Sequence, residues 1–283
     1  MSQKVPRVSV LTPIYNTNPA NLREMIESIL GQTYTDFEFL ILNDSPNNSE
    51  IENIVLEYAA QDSRVKYYKN EKNLGITPSR NKLVDMARGE YLAVFDHDDI
   101  SLPERLEKEV ACLDANPNIG VVSGWLQYFG DDNGVWKTPE YDVDIRIMLC
   151  GSCYVAHTAA MIRKSVLVDN NIAYEEFFTP AEDYRLWTRL MDVTYFYNIQ
   201  EVLVKYRWNG ENTSNNFADK TELAMRNISS RICDKYPALY DEYKKVIPNT
   251  MFRLRCCGIP LLKIKRNKVY LFEVIPVCKI KWK

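Results

Sequence analysis

The chain is nearly without histidine. Its 283 residues hold only His97 and His157, which excludes a zinc centre built on imidazole ligands. Long apolar runs are missing as well. No segment approaches the ~20 apolar residues that a membrane-crossing helix needs, so any membrane contact is expected to be peripheral. Cysteine is present in an odd number, seven, with no leader-type apolar segment at the start, and that predicts a reduced, cytosolic protein rather than a disulfide framework. Cys150 and Cys153 have the spacing of a redox pair, but they follow no strand-helix unit of that kind and lack a second pair for zinc, so two ordinary thiols are expected.

A strong excess of one charge is also missing, the net value being −3. That small value conceals an asymmetry: residues 251–283 carry nine Lys/Arg against one Glu, or +8, which leaves −11 on the 250 residues before them. An acidic body is a poor partner for nucleic acid. The basic end, with Phe252, Leu254, Leu261, Leu262, Phe272 and Trp282 among its charges, suits an anionic membrane surface. Its alternative is a solvated tail folded back on the body.

What the sequence does contain is core. Hydrophobic residues make up 46% against 26% charged, a balance that argues against disorder, and the length suits one large α/β domain plus a tail. Residues 8–15 form an apolar run ending in a polar turn, and residues 20–30 follow with helical spacing through Leu22, Ile26, Ile29 and Leu30. The pattern recurs at 37–42 with 50–60, 65–68 with 78–87, and 91–95 with 103–115. Four strand-helix units in series predict a doubly wound, mostly parallel sheet. Beyond Pro117 the alternation breaks down into a mixed second half, with strands expected at 121–129, 153–163 and 203–208 and a helix at 181–191. In the tail, residues 259–265 match 275–281, and helix and strand are both open for this pair.

Sheets of this type bind ligands beyond the carboxyl ends of their strands. Polar residues stand there at Tyr15-Asn16, at Asn43-Asp44 and at Asp96-His97-Asp98-Asp99. Three carboxylates on one turn repel one another unless a cation shares them, and oxygen ligands suit Mg2+ or Mn2+, which also bind diphosphates. The plainer reading is an acidic turn before the next helix. Asp44 is suited to accept the N3 proton of uracil or thymine, or else to form an Asx turn. Asn73 and Gly75 precede Thr77, an expected N-cap, and Arg80 lies in the first helical turn, where amides and a guanidinium receive phosphate.

In chain order, Pro13-Ile14-Tyr15-Asn16, Asn43-Asp44, Asn73-x-Gly75, Ser79-Arg80-Asn81, Asp96-x-Asp98-Asp99 and Glu182-Asp183 resemble the family 2 glycosyltransferases of GT-A fold. Each piece is short; the ordered set is specific, and it covers roughly residues 5–215. The resemblance implies a nucleotide sugar donor, a UDP-sugar being favoured, a divalent metal (Mn2+ or Mg2+) and inversion at the anomeric carbon. It implies that Asp44 holds the base with Pro13, Tyr15 and Asn16 around base and ribose. Asp98 would meet the ribose or donor sugar with Asp96 nearby, and Asp99 with Asp98 the metal. Asp183 would be the catalytic base with Glu182 beside it. A positioned carboxylate suits a sugar hydroxyl, which is too weakly acidic to attack unaided.

Arg207 is expected near phosphate, although Asn209 stands where related enzymes often carry a His, and the plainer role for Arg207 is a strand-end ion pair. Val204 replaces the Gln of the Gln-x-x-Arg-Trp pattern of processive members, which points to single-sugar addition. His157 and Trp187 are the acceptor-side candidates; a satisfied buried His and core packing, as for Trp125 and Trp136, are their alternatives.

The resulting expectation is a catalytic domain at 1–215 (nucleotide-binding half 1–100, acceptor-binding half 101–215), a helical extension at 216–250 and a basic tail at 251–283. The acceptor would be a lipid-linked surface glycan such as lipopolysaccharide, lipooligosaccharide or capsule at the cytosolic face. Rival readings are a sugar nucleotidyltransferase, which would begin with a Gly-rich basic loop in place of residues 13–16, and a non-catalytic nucleotide-sugar-binding protein of the same fold.

Overall fold

The computed structural model describes residues 4–209 and 219–246 with side chains, and residue 218 and the four tail strands as backbone. The chain forms two compact units, Met1–Ile232 and Cys233–Lys283.

In the first unit, β1 (Val8–Ile14) and β2 (Phe37–Asn43) are buried along their whole length. That fits their largely apolar runs, since a parallel sheet is covered on both faces, and the buried Glu38 within β2 accepts from the Ser9 hydroxyl of β1 at 2.7 Å. Between them, α1 (Pro19–Leu30) starts with proline at its first position behind Asn18, whose side chain accepts from the Ala20 and Asn21 N–H groups. It buries Leu22, Met25, Ile26 and Ile29, one stripe at helical period. Then follow α2 (Ser49–Gln61), β3 (Val65–Lys69), α3 (Ile76–Met86), β4 (Tyr91–Val94), the short β5 (Ile100–Ser101) and α4 (Arg105–Ala115).

The second half holds β6 (Ile119–Gly130), β7 (Gly134–Trp136), α5 (Asp142–Leu149), β8 (Met161–Arg163), α6 (Lys164–Asp169), α7 (Glu182–Leu190) and β9 (Tyr195–Trp208). The sheet order is β3-β2-β1-β4-β8-β6-β9-β5, with β7 on β6. Strands β1 to β4 pair in parallel, whereas β8 is antiparallel to both β4 and β6. Strand order reverses between β2 and β4 around β1, the point at which such sheets open a crevice. This is the GT-A arrangement that the motif order implied.

Two local expectations fail. Residues 153–163 are not one strand: only Met161–Arg163 pairs, and a 3-10 turn at His157–Ala159 precedes it. Thr77 does not cap α3. The helix begins at Ile76 and its cap is Gly75, two residues before Thr77, with a φ of 89, a left-handed value that favours glycine, and the Thr77 hydroxyl meets that of Thr179 at 2.7 Å instead.

After β9, α8 (Ala218–Lys235) buries Ile228 and Ile232. In the second unit, α9 (Pro237–Val246) is followed by an antiparallel meander of β10 (Leu254–Cys256), β11 (Ile259–Lys265), β12 (Lys268–Leu271) and β13 (Ile275–Lys279). The two tail repeats, open between helix and strand in the sequence, are β11 and β13, on either side of β12. Among the described residues, no helix is long and apolar enough to cross a membrane.

Candidate active site

The polar loops singled out in the sequence are tied together beyond the carboxyl ends of β1, β2 and β4. Asn16, at φ 45, donates its N–H to Ser45 Oγ at 2.7 Å, and the Thr17 hydroxyl meets His97 Nδ1 at 3.1 Å. Tyr15 is 51% exposed at the rim, while Pro13 is buried in β1 opposite Leu42. The Asx turn forms on Asn43, whose Oδ1 accepts from Ser45 N–H at 2.7 Å, rather than on Asp44.

Asp44 has a different local task. Its Oδ1 accepts from Asn70 Nδ2 (2.7 Å) and Leu74 N–H (2.9 Å), and its Oδ2 from Gly75 N–H (2.8 Å). The carboxylate thus locks the Asn73-Leu74-Gly75 loop against β2, with Asn73 exposed at its tip, and one accepting direction stays open on Oδ2.

Arg80 joins two acids that lie 86 residues apart in the chain. It forms ion pairs with Glu182 at the start of α7 and, at 3.1 Å, with Asp96 after β4, and its guanidinium lies 5.8 Å from the Tyr174 ring. A phosphate-binding arginine read from the first turn of α3 is therefore an acid-pairing bridge in this structure. Burial works to raise the Asp96 carboxyl, but Arg80 holds it below the usual range. Glu182 Oε2 is buried without a hydrogen-bond partner.

Asp183 is the freer of the α7 acids: it stays partly exposed, and its Oδ1 accepts only the N–H of Tyr184, at 2.7 Å. Burial and then the neighbouring Glu182 push its carboxyl up to about 6, against the pull of Arg80.

The acidic turn does not present all its carboxylates to the cleft. Asp96 and Asp98 are partly exposed, whereas Asp99 is 0% exposed, with Oδ1 accepting the Arg207 N–H at 2.8 Å and Oδ2 left without a partner. The expectation of Asp99 as a cleft-facing metal ligand is corrected accordingly, and Asp98 is the carboxylate beside it that reaches the cleft. Burial, then Asp98 and Asp96, push the Asp99 carboxyl well above its ordinary value, while Asp98 is raised by burial in spite of His97. The crowded carboxylates of Asp96 and Asp98, each of which opposes the other's charge, fit a cation. Among the described residues no three His, Cys, Asp or Glu side chains converge as a metal cage, so the fit is to a cation that shares one or two carboxylates with a ligand's phosphates.

Arg207 takes the plainer of its two expected roles. Its Nη2 pairs with Glu24 at 2.5 Å, its Nε donates to Asp98 O at 2.8 Å, and it lies 4.4 Å from the Phe129 ring. Val204 is buried in β9.

Of the two acceptor-side candidates, Trp187 is corrected outright: at 0% exposure its ring is core and offers no face to a sugar. His157 is buried, its Nε2 within 2.9 Å of the Tyr174 hydroxyl and its Nδ1 4.0 Å from Asp96. Burial, with Arg80, lowers it to about 3, so it is neutral and stands behind Asp96. Cys150 and Cys153 are thiols outside any disulfide, each donating to a backbone carbonyl.

Three participants had no signal in the sequence. Thr158 Oγ1 accepts the Asp96 N–H at 3.2 Å, Tyr174 lies between His157 and Arg80, and Arg105 of α4 reaches the base of the acidic turn. A groove of about 660 Å³ opens at the other end of the strands. Its basic side chains are matched internally, Lys4 by Asp36 and Arg88 by Glu38.

Comparison with known proteins agrees with this fold. The model of the family described as Glycosyl transferase family 2 matches residues 9–169. An uncharacterized glycosyltransferase, MJ1057, of Methanocaldococcus jannaschii is 39% identical over 208 residues, 71% of each chain. Among solved structures, S. aureus TarS 1–349 in complex with UDP-GlcNAc aligns with TM-score 0.64 and 19% identity over 82% of this chain and 73% of that one. The mannosyltransferase PcManGT of Pyrobaculum calidifontis, in complex with GDP-Man and Mn2+, aligns with TM-score 0.58 and 14% identity over 86% and 83%. The family model covers more than half of the chain, with Asp44, Arg80 and the acidic turn at 96–99 inside the match, so this protein belongs to glycosyl transferase family 2.

Proposed function

We propose that this glycosyltransferase moves one sugar from a UDP-sugar to an acceptor hydroxyl of a surface glycan, such as lipopolysaccharide, lipooligosaccharide or capsule, by a direct inverting displacement. The observation that carries the reading is the Arg80 bridge, which joins the acidic turn at Asp96 to the Glu182-Asp183 pair. A donor-side and an acceptor-side carboxylate are thereby held at one cleft. The domain division at 1–100 and 101–215 belongs to the same proposal.

Asp183 takes the proton of the acceptor hydroxyl as its oxygen bonds to the anomeric carbon; the bond from that carbon to the diphosphate breaks, and its electron pair leaves on the phosphate oxygen. Glu182 is pinned by Arg80 and orients the start of α7. Asp98, with Asp96 next to it, would hold Mn2+ or Mg2+, which offsets charge on the leaving diphosphate when bound. Asp44 and the rim at Tyr15 and Asn16 would receive the uracil and ribose. The first strand ends in Pro13-Ile14-Tyr15-Asn16 rather than a Gly-rich basic loop, which disfavours nucleotidyl transfer. The absent Gln at position 204 favours single addition.

The test is a screen of the purified protein against UDP, dTDP and GDP sugars with Mn2+, reading sugar hydrolysis and thermal shift. A UDP-sugar response is expected, and silence across the panel would sink the reading.

The base should also show in the pH dependence. Asp183 must be ionised to accept a proton, so kcat/KM should be level above pH 7 and fall about tenfold per unit below its value of about 6. A profile that stays flat to pH 5 would remove Asp183 from this role.

The +8 tail at residues 251–283 supports peripheral attachment at the inner face of a membrane. Protein cut at Met251 should no longer pellet with anionic liposomes that retain the full chain; equal retention would refute the attachment.

A further inference from the structure

Strands β4 and β8 run antiparallel from Tyr91 opposite Arg163 to Ala93 opposite Met161. One step further, Val94 N–H donates to Ala160 O at 3.0 Å. A regular ladder would return a second bond at this pair, from Ala160 N–H to Val94 O. Here the Ala160 N–H is taken by His157 O, at 3.0 Å, which closes the 3-10 turn. A side chain from α4 supplies the missing donor. Arg105 Nη2 donates to Val94 O at 2.9 Å and to Ala160 O at 3.3 Å, so one guanidinium nitrogen spans the two strands where they part.

What lies beyond that point is the site. Asp96 follows Val94 by two residues, and Thr158 precedes Ala160 by two. The two arms meet again where the Asp96 N–H donates to Thr158 Oγ1. Arg105 itself has no exposure: its Nε pairs with Glu109 at 3.1 Å, both side chains are 0% exposed, and the guanidinium lies 5.3 Å from the Phe95 ring. Burying such a pair carries a desolvation cost that packed apolar residues of similar volume avoid. The strain shows on Glu109, whose carboxyl burial pushes up to about 7 against the pull of Arg105. Lysine ends in one nitrogen and so cannot meet Glu109 with one nitrogen while a second, held by the same rigid plane, meets the two carbonyls.

We propose that Arg105 is a positioning residue for transfer: it replaces the ladder bond between β4 and β8 and so sets the placement of the Asp96-Asp98 turn against the His157-Thr158 turn. The inference rests on the proposed role of that turn in donor binding.

The test uses Arg105→Lys and the double variant R105M/E109M in the full chain. The double variant removes the buried charges together and should keep its Tm close to the parent. Both should lose about 10²-fold in kcat, with weaker Mn2+-dependent UDP binding by calorimetry and no change in acceptor KM, a split that general loosening would not produce. Amide exchange at residues 94–97 and 157–160 should quicken in Arg105→Lys relative to β1 and β2. This last readout needs no nucleotide, so it judges Arg105 even if the parent binds no UDP, a result that would count against the proposed function alone. Parent-like exchange in those segments, or parent-like UDP binding and kcat in folded Arg105→Lys, overturns the proposal.

Discussion

Asp183→Asn should lower sugar transfer by about 10²- to 10⁴-fold, the contribution of a general base, and leave UDP affinity essentially unchanged. The substitution is isosteric and keeps an oxygen for the Tyr184 N–H that holds Oδ1. It removes the one α7 carboxylate that is both partly exposed and free of an ion pair. Glu182 is no substitute, because Arg80 engages it inside the protein. The measurement is kcat in a transfer assay beside UDP binding by calorimetry. A variant with parental turnover would end the assignment, and one that lost UDP binding equally would show that Asp183 serves the donor.

The second large effect is expected at the acidic turn. Asp98→Asn should abolish the Mn2+-dependent part of UDP binding and cost about 10²- to 10³-fold in kcat/KM, the scale of several kcal/mol of leaving-group stabilisation. Chelation of the parent should reproduce that loss. Asp99→Asn should do far less to metal dependence, because Asp99 is fully buried and holds the Arg207 N–H. Calorimetry with and without Mn2+ separates the cases. If the parent binds UDP with one affinity in both, no metal acts at this site; if Asp99→Asn loses metal dependence and Asp98→Asn keeps it, the two carboxylates have been exchanged.

Both predictions rest on side chains whose distance in sequence says nothing of their distance in space. Arg80 and Glu182 carry no local mark of pairing, and a guanidinium in the first turn of a helix reads as a phosphate ligand until its acidic partners are seen. Trp187 and Asp99 show the same limit for burial. Within α7, the 3.6-residue period says that Trp187 shares a face with some neighbours, but which face turns inward depends on what packs against it. Three carboxylates on one turn look equivalent in sequence, yet the backbone sends Asp99 inside and leaves Asp96 and Asp98 partly exposed. The misread 153–163 segment has a related cause: its apolar residues are buried as a strand's would be, but Ala160 N–H is used to close a 3-10 turn.

What the sequence determined by itself was the scaffold and the edge of the sheet at which its polar loops stand. Largely apolar runs at β1, β2 and β4 call for cover on both faces, the helical stripes between them supply the cover, and a series of such units places the strand-end loops on one edge. These signals are local, so they survive in one dimension. Which carboxylates face the cleft, which are neutralised and which arginine braces the strands were decided by the tertiary structure, because ion pairing, burial and ladder completion depend on contacts across dozens of residues that no local pattern encodes.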